Sequence, residues 1–317
     1  MRFNLPDLND YRTRFLNDGI VSPLKTTGTP ENGLLGYLPG CSGDQTGWPW
    51  TAQVDPDTYN GNNYWPKLTI VTPSYNQGAF IEQTIRAVLL QNYPNLEYII
   101  IDGGSTDNTR EILEKYAPWI SYWQSVSDDG QANAINLGFS LASGHYRAWI
   151  NSDDYYLSGT FHHVIKTFIK TKVSFIYGYA YNLHADTGTL EMIKVLPVLD
   201  YFLRMPTLAQ PSCFWSAGIH QPVIEQLQCS MDYELWLRMV RGNSRKLLRS
   251  PLSVAHVHRQ AKTYDPKMSD AWQNDHDLIC HPENHGPVQQ WARKIWLHKI
   301  YNRFIKLIEK VTFHQRA

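Results

Sequence analysis

Between Lys67 and Asp154 short apolar runs alternate with stretches of helical periodicity, and the runs stop abruptly on polar clusters. The run at 68–71 ends at Thr72-Pro73-Ser74-Tyr75-Asn76, that at 96–101 at Asp102-Gly103-Gly104-Ser105, and that at 146–150 at Asn151-Ser152-Asp153-Asp154. A weaker extended piece, 119–125, leads to Asp128-Asp129-Gly130. Between them Ile81, Ile85, Val88 and Leu89 predict a helix over 80–90, Ile112 and Leu113 one that runs to Pro118 from a cap at Ser105 or Asp107, and 131–142 a third. Strands alternating with helices of this length predict an α/β chain with a mostly parallel twisted sheet and right-handed crossovers. Ligands of such sheets bind at the carboxyl ends of the strands, so the four clusters are expected to share one cleft.

The last cluster, W-I-N-S-D-D at 149–154, carries the strongest chemistry. Two adjacent carboxylates at the end of an apolar strand repel each other and resist desolvation, which points to a bound cation. A divalent metal completed by phosphate oxygens suits them, and an Asp-rich turn or cap before Leu157 is the alternative. Asp102, followed by two glycines, is placed to accept hydrogen bonds from a base or ribose, or to close an Asx-turn. Neither G-x-G-x-x-G nor a Walker motif occurs, which disfavours dinucleotide cofactors and P-loop hydrolysis.

Charge narrows the partners. Lys and Arg together number 29, as do Asp and Glu, so no basic surface for nucleic acid is expected. The four cysteines, with no C-x-x-C pair, indicate a reducing, cytoplasmic setting; the first ten residues lack a signal-peptide core, and no window approaches the ~18 apolar residues of a membrane span. Residues 1–65 are crowded with Pro and Gly yet carry Trp48, Trp50, Tyr59, Tyr64 and Trp65. This predicts an irregular extension packed on the main domain, or one that stacks on an acceptor. Residues 66–265 form the main domain, divided at 154; its second half should hold a helix at 161–169, a hairpin from 173–181 and 189–195, a loop-to-strand passage at 210–215, a helix at 232–240 and two short strands within 246–257. Residues 266–317 read as a C-terminal helical segment. Over 291–317 seven basic residues face Glu309 alone, a net +6, opposite Leu297, Ile300, Phe304, Ile308 and Val311. Such a basic amphipathic helix suits an anionic membrane surface, or docks on the domain with its basic face in water.

T-P-S-Y-N at 72–76, I-D-G-G-S-T-D-N-T at 101–109, D-D-G-Q-A-N-A-I-N-L-G at 128–138 and W-I-N-S-D-D at 149–154, in this order, resemble the nucleotide-sugar half of the family 2 glycosyltransferases, with their GT-A (Rossmann-like) fold. The resemblance runs from about 68 to 154 and weakly on to about 263. It implies that Thr72, Pro73 and Tyr75 line a base pocket, that Asp102 bonds the base, that Asp128 touches the nucleotide and that Asp153 lies against ribose or donor sugar. Asp154 would ligate Mn²⁺ or Mg²⁺ on the diphosphate. S-M-D-Y-E-L-W-L-R at 230–238 is similar to the element carrying the family's base, which makes Asp232 the candidate and Glu234, otherwise an exposed first-turn acid, the reserve. His258 matches a late histidine of the family and is a candidate metal ligand; His256 replaces the usual arginine, leaving Arg259 or Lys262 to supply the diphosphate's cation. Asn133 and Asn151 stand where many relatives carry acids.

The implied activity is metal-dependent, inverting transfer of a sugar from a nucleoside diphosphate (UDP, with dTDP or GDP as alternatives) to a saccharide or lipid-linked saccharide. It belongs in surface polysaccharide synthesis, in the cytoplasm or at the cytoplasmic face of the membrane, where the C-terminal helix would make peripheral contact. A nucleotide-sugar-binding or scaffolding protein without catalysis, or a sugar nucleotidyltransferase, are the alternatives; the latter lacks its glycine-rich basic loop here.

Overall fold

The computed structural model describes residues 3–40, 44–61, 64–195, 197, 208–258, 262, 266–281, 284, 300 and 303–304. After helix α1 (Leu8–Asn17), strand β1 (Leu68–Ser74), helix α2 (Ile81–Leu89), strand β2 (Leu96–Asp102), helix α3 (Thr109–Tyr116), strand β3 (Tyr122–Ser125), helix α4 (Gln131–Leu141) and strand β4 (Tyr146–Trp149) follow the predicted alternation. Asp107 accepts the N–H of Thr109 at the start of α3, at 3.0 Å, whereas Ser105 turns back to Asp102. Then come β5 (Tyr155–Tyr156), α5 (Thr160–Thr171), β6 (Phe175–His184), β7 (Thr189–Ile193), β8 (Cys213–Ser216), α6 (Met231–Met239), β9 (Arg245–Val257) and α7 (Ser269–Cys280).

One nine-stranded sheet runs β3-β2-β1-β4-β8-β6-β9-β5, with β7 added to β6. Strands β3, β2, β1 and β4 are all parallel, and the completely buried β1 and β2 are rich in Val, Ile and Leu as two-sided burial demands. Beyond β4 the sheet is mixed, with β6 and β9 parallel and the other pairs antiparallel. The chain builds outward from β1 to β3 and then returns to place β4 on the other side of β1. That reversal opens a crevice at the carboxyl ends of β1 and β4.

Two local expectations change. Residues 246–257 form one strand instead of two; the register shift against β6 falls at Tyr179, which pairs with Pro251, so the proline marks an irregularity and not an end. The N-terminal extension is not wholly irregular: Leu8, Tyr11 and Phe15 recur at helical spacing in α1, which packs on α4 while Phe15 meets Tyr122 edge-on. The extension's aromatic residues are used internally. Trp48 Nε1 donates to the carbonyl of Tyr156 and Trp65 Nε1 to that of Tyr59, while Tyr59 donates to Gln91. These rings pack on the domain, while Tyr37 and Tyr64 stay 58% and 62% exposed.

Arg86 on α2 is the fastening between the two parts. Only 2% exposed, it donates to the carbonyls of Pro39, Pro49 and Trp50 and to the Tyr116 hydroxyl, with Trp50 under its guanidinium. A planar five-donor fork satisfies four acceptors that a lysine's single nitrogen cannot reach together. Arg86→Lys should therefore lower stability by about 2 kcal/mol, read as a lower urea midpoint with unchanged slope.

Most of the basic C-terminal segment, and Arg259 with it, lies outside the described residues. Among the described residues no helix is long and apolar enough to cross a membrane.

Candidate active site

All four strand-end clusters border one cavity of about 810 Å³ at the carboxyl ends of the parallel strands. Pro73 and Ser74 end β1 and Tyr75 follows it, Gly103 and Gly104 follow β2, Asp128 follows β3, and Asn151 to Asp154 follow β4. Met231 and Asp232 at the start of α6, His256 of β9, and Lys262 close the opposite side.

Short bonds between the loops set this rim. Asn76, at φ +52°, accepts the Thr106 N–H, while its own N–H donates to Ser105 Oγ. Gly78 donates its N–H to Asp107, and a Cβ there would sit 1.8 Å from the Asn108 side chain, so only glycine brings these loops together. Gly103 lies so close to Asp128 that a Cβ would stand 3.0 Å from its carboxylate. Tyr75, 61% exposed, presents its ring to the cavity as a stacking surface.

Two predicted donor residues sit beneath the wall instead of on it. Thr72 is fully buried and its hydroxyl faces that of Tyr98 at 3.2 Å. Asp102 is likewise fully buried: one oxygen takes the Ser105 hydroxyl, the other the Ser105 N–H and the Ser125 hydroxyl. Its carboxylate organises the loop. On the same wall Ser74 Oγ is buried with no partner among the described residues, a polar atom left for a ligand.

The acidic floor is built by β5. This two-residue strand pairs with β9, so Asp153 and Asp154 are held against His256. Asp154 Oδ1 accepts the His256 N–H at 3.1 Å, and Asn151 Nδ2 approaches its other oxygen at 3.4 Å. Burial, and then the neighbouring Asp153 charge, hold the Asp154 carboxyl well above the usual carboxylate range. The His256 ring bonds the Asp153 carbonyl, and burial pushes its pKa down. His258 does not reach the cavity wall. Its ring stacks on Phe80 at 4.9 Å and its Nε2 meets the Asp153 carboxylate at 3.1 Å.

Among the described residues no three His, Cys, Asp or Glu side chains surround a common point. The donor set still fits a hard divalent cation. Two adjacent carboxylates, one of them desolvated at a cost, gain from such a cation, and phosphate oxygens would complete its shell. Asn151 is a clamp here, since its carbonyl oxygen accepts from Gln131 at 2.9 Å. Among the described residues Lys262 is a cation on the opposite rim, its Nζ donating to Gln131 and to the Gln228 carbonyl at 3.0 and 3.1 Å.

Asp232 borders the cavity while its carboxylate accepts the Tyr233 N–H at 2.7 Å, and burial pushes its pKa up. A Trp cluster ties it to the acidic floor: Trp149 of β4 stacks on Trp236 of α6 at 5.3 Å, and Trp215 meets both edge-on. Such contacts add about 0.5–1.5 kcal/mol each beyond their burial and fix α6 against β4. Glu234 is not the exposed acid expected. It is completely buried and paired with Arg238 at 2.7 Å, away from the cavity. Asn133 likewise faces inward, its amide 3.3 Å from both Tyr11 and Glu225. The sequence had singled out neither Gln210 nor Trp272, though both border the cavity.

Known proteins are similar to this chain in sequence and in fold. A glucosyltransferase of Escherichia coli, WfgD, which acts from UDP-Glc on GlcNAc-diphosphoundecaprenol, is 35% identical over 189 residues, or 56% of this chain and 71% of that protein. An uncharacterised glycosyltransferase of Rickettsia typhi is 28% identical over 214 residues, 62% of this chain and 66% of that one; of a Rickettsia felis relative the chain spans 32%. The structure of Staphylococcus aureus TarS with UDP superposes with a TM-score of 0.52 at 16% identity, over 68% of this chain and 64% of that one. The Pyrobaculum calidifontis mannosyltransferase PcManGT, solved with GDP-Man and Mn²⁺, gives 0.50 at 18% identity, over 66% and 61%. Both show the fold to be GT-A. Residues 69–216, which contain all four strand-end clusters, match the model of glycosyl transferase family 2, and with the likeness to WfgD they establish that this chain belongs to that family.

Proposed function

We propose that the protein transfers one sugar from a nucleoside diphosphate, UDP in the first instance, to a hydroxyl of a lipid-linked saccharide, with inversion and with help from a divalent cation, in the assembly of a polysaccharide. The observation that carries this reading is the meeting of the Asp153–Asp154 pair and Asp232 in one cavity whose other wall is the Tyr75, Gly103 and Asp128 rim. The likeness to WfgD supports the choice of donor and acceptor class.

In this reading the base stacks on Tyr75 and the nucleoside lies over Gly103, whose missing side chain lets Asp128 approach. Burial holds the Asp128 carboxyl up, which suits it to a hydrogen bond with the nucleoside. Mn²⁺ or Mg²⁺ held by Asp154 and Asp153 would offset the charge that develops on the departing diphosphate. Lys262 adds a second positive group near those phosphates, in place of the arginine that His256 replaces. Asp232 takes the proton of the acceptor hydroxyl as its oxygen bonds to the anomeric carbon and the carbon–oxygen bond to the diphosphate breaks. His258 keeps Asp153 aimed, and Trp149 with Trp236 keeps the base in register with the floor.

The test is nucleoside diphosphate release from UDP-, dTDP- and GDP-sugars with Mn²⁺, repeated in EDTA. Release from a UDP-sugar that falls at least tenfold in EDTA and returns with Mn²⁺ supports the reading. Full release in EDTA removes the cation from it, and binding without any turnover leaves a nucleotide-sugar-binding protein.

A further inference from the structure

We propose that α7 forms the acceptor-sugar subsite, with the Trp272 indole as the platform on which the acceptor's sugar ring stacks and Asp275 as the positioning residue that sets this platform against Asp232. The inference rests on the transfer reading above and goes beyond the family match, which ends at residue 216.

Trp272 is 37% exposed, yet it borders the same cavity as Met231 and Asp232. A large apolar ring left open at the edge of a cavity that also holds carboxylates is a contact surface awaiting a ligand. A pyranose suits it, because one face of the sugar presents C–H groups to the electron-rich face of an indole while the hydroxyls point outward to polar groups. Such groups are at hand: Gln210 donates its Nε2 to the Trp149 carbonyl at 3.0 Å, and its Oε1 is buried with no partner among the described residues. The nucleoside side of the cavity already has its ring in Tyr75, just after β1. Trp272 arrives with α7, which is fastened to the segment leading into α6, so its sugar is the one whose hydroxyl Asp232 deprotonates.

The fastening is Asp275, three residues after Trp272 and so on the same face of α7. Only 2% exposed, its carboxylate accepts the N–H groups of Gln228, Cys229 and Ser230, the last two at 2.7 Å. Ser230, the N-cap of α6, makes no side-chain cap, and this carboxylate takes its N–H and those of the two residues before it, just ahead of Asp232. Three charge-assisted bonds to one short loop fix α7 and the base together.

The experiment uses the full chain, a UDP-sugar that the wild type consumes, and GlcNAc-diphosphate on a short alkyl chain as the acceptor probe. In Trp272→Ala the KM for the probe should rise tenfold or more, in Trp272→Phe less than threefold, with the donor Kd by calorimetry equal in all three. Asp275→Ala should raise the same KM and lower kcat, and Asp275→Asn, which keeps one oxygen for the loop, should recover most of both. An unchanged probe KM in a folded Trp272→Ala, or a wild type that consumes donor yet does not respond to the probe, overturns the subsite. A wild type that neither binds nor consumes any UDP-, dTDP- or GDP-sugar overturns instead the transfer reading beneath it.

Discussion

Asp232→Asn should lower the rate of sugar transfer by about 10²- to 10⁴-fold while leaving the donor Kd within threefold of wild type. The substitution is nearly isosteric, and the amide oxygen can still accept the Tyr233 N–H that the carboxylate now holds. What it removes is the proton acceptor. Burial raises the pKa of this carboxyl, which strengthens it as a base toward neutral pH. The active form is the carboxylate, so kcat/KM should rise with pH through that raised pKa, on a limb displaced upward from the ordinary range near about 4. The variant's residual rate should lack the limb. Single-turnover rates between pH 4.5 and 8, with calorimetry for the donor, check both halves. Transfer at the wild-type rate would move the base elsewhere, and not to Glu234, whose carboxylate is committed to Arg238 in the core.

The strand ends were legible because their signal is local. An apolar run that stops at T-P-S-Y-N or N-S-D-D needs no distant residue to be read, and parallel pairing then carries each cluster to the same edge. Errors arose where a distant partner decides. Asp102 reads as wholly ligand-facing until β3 is set beside β2, which pairs Asp102 with Ser125 and ties the carboxylate into the loop. Thr72 lies one residue too deep, against Tyr98 of the neighbouring strand. Helix α1 was hidden by the Pro- and Gly-rich stretch that follows it, and the burial of Glu234 depends on Arg238 one turn along and on Gln221 and Pro222, which hold that guanidinium. Asp275 was invisible for the same reason: its three bonds reach back 45 to 47 residues. Local chemistry shows which residues are reactive. Topology decides which of them face the ligand.

Asp154→Asn should abolish cation-dependent transfer, by about 10³-fold, and at the same time raise the Tm of the cation-free protein at pH 7 by about 2 °C. The two effects have one origin. Asp154 is 5% exposed beside Asp153, and its carboxyl is held above the usual range by burial and then by that neighbour. A carboxyl whose pKa rises on folding binds more protons folded than unfolded, so stability falls as pH climbs from about 4 through the raised value. The amide carries no charge, still accepts the His256 N–H with its oxygen, and has no such slope. The two proteins should therefore melt alike near pH 4 in EDTA and diverge toward neutrality, with the variant the more stable. Mn²⁺ with UDP should reverse the order, because a ligand that binds only the folded wild type stabilises it by an amount that grows with the logarithm of ligand concentration over Kd. Melting curves from pH 4 to 8 in EDTA, repeated with Mn²⁺ and UDP, measure each arm. Equal melting at pH 7 in EDTA, with unchanged transfer, would leave the acidic floor without a role; a variant stabilised and silenced together would show that the fold gives up stability here to hold charge for the diphosphate.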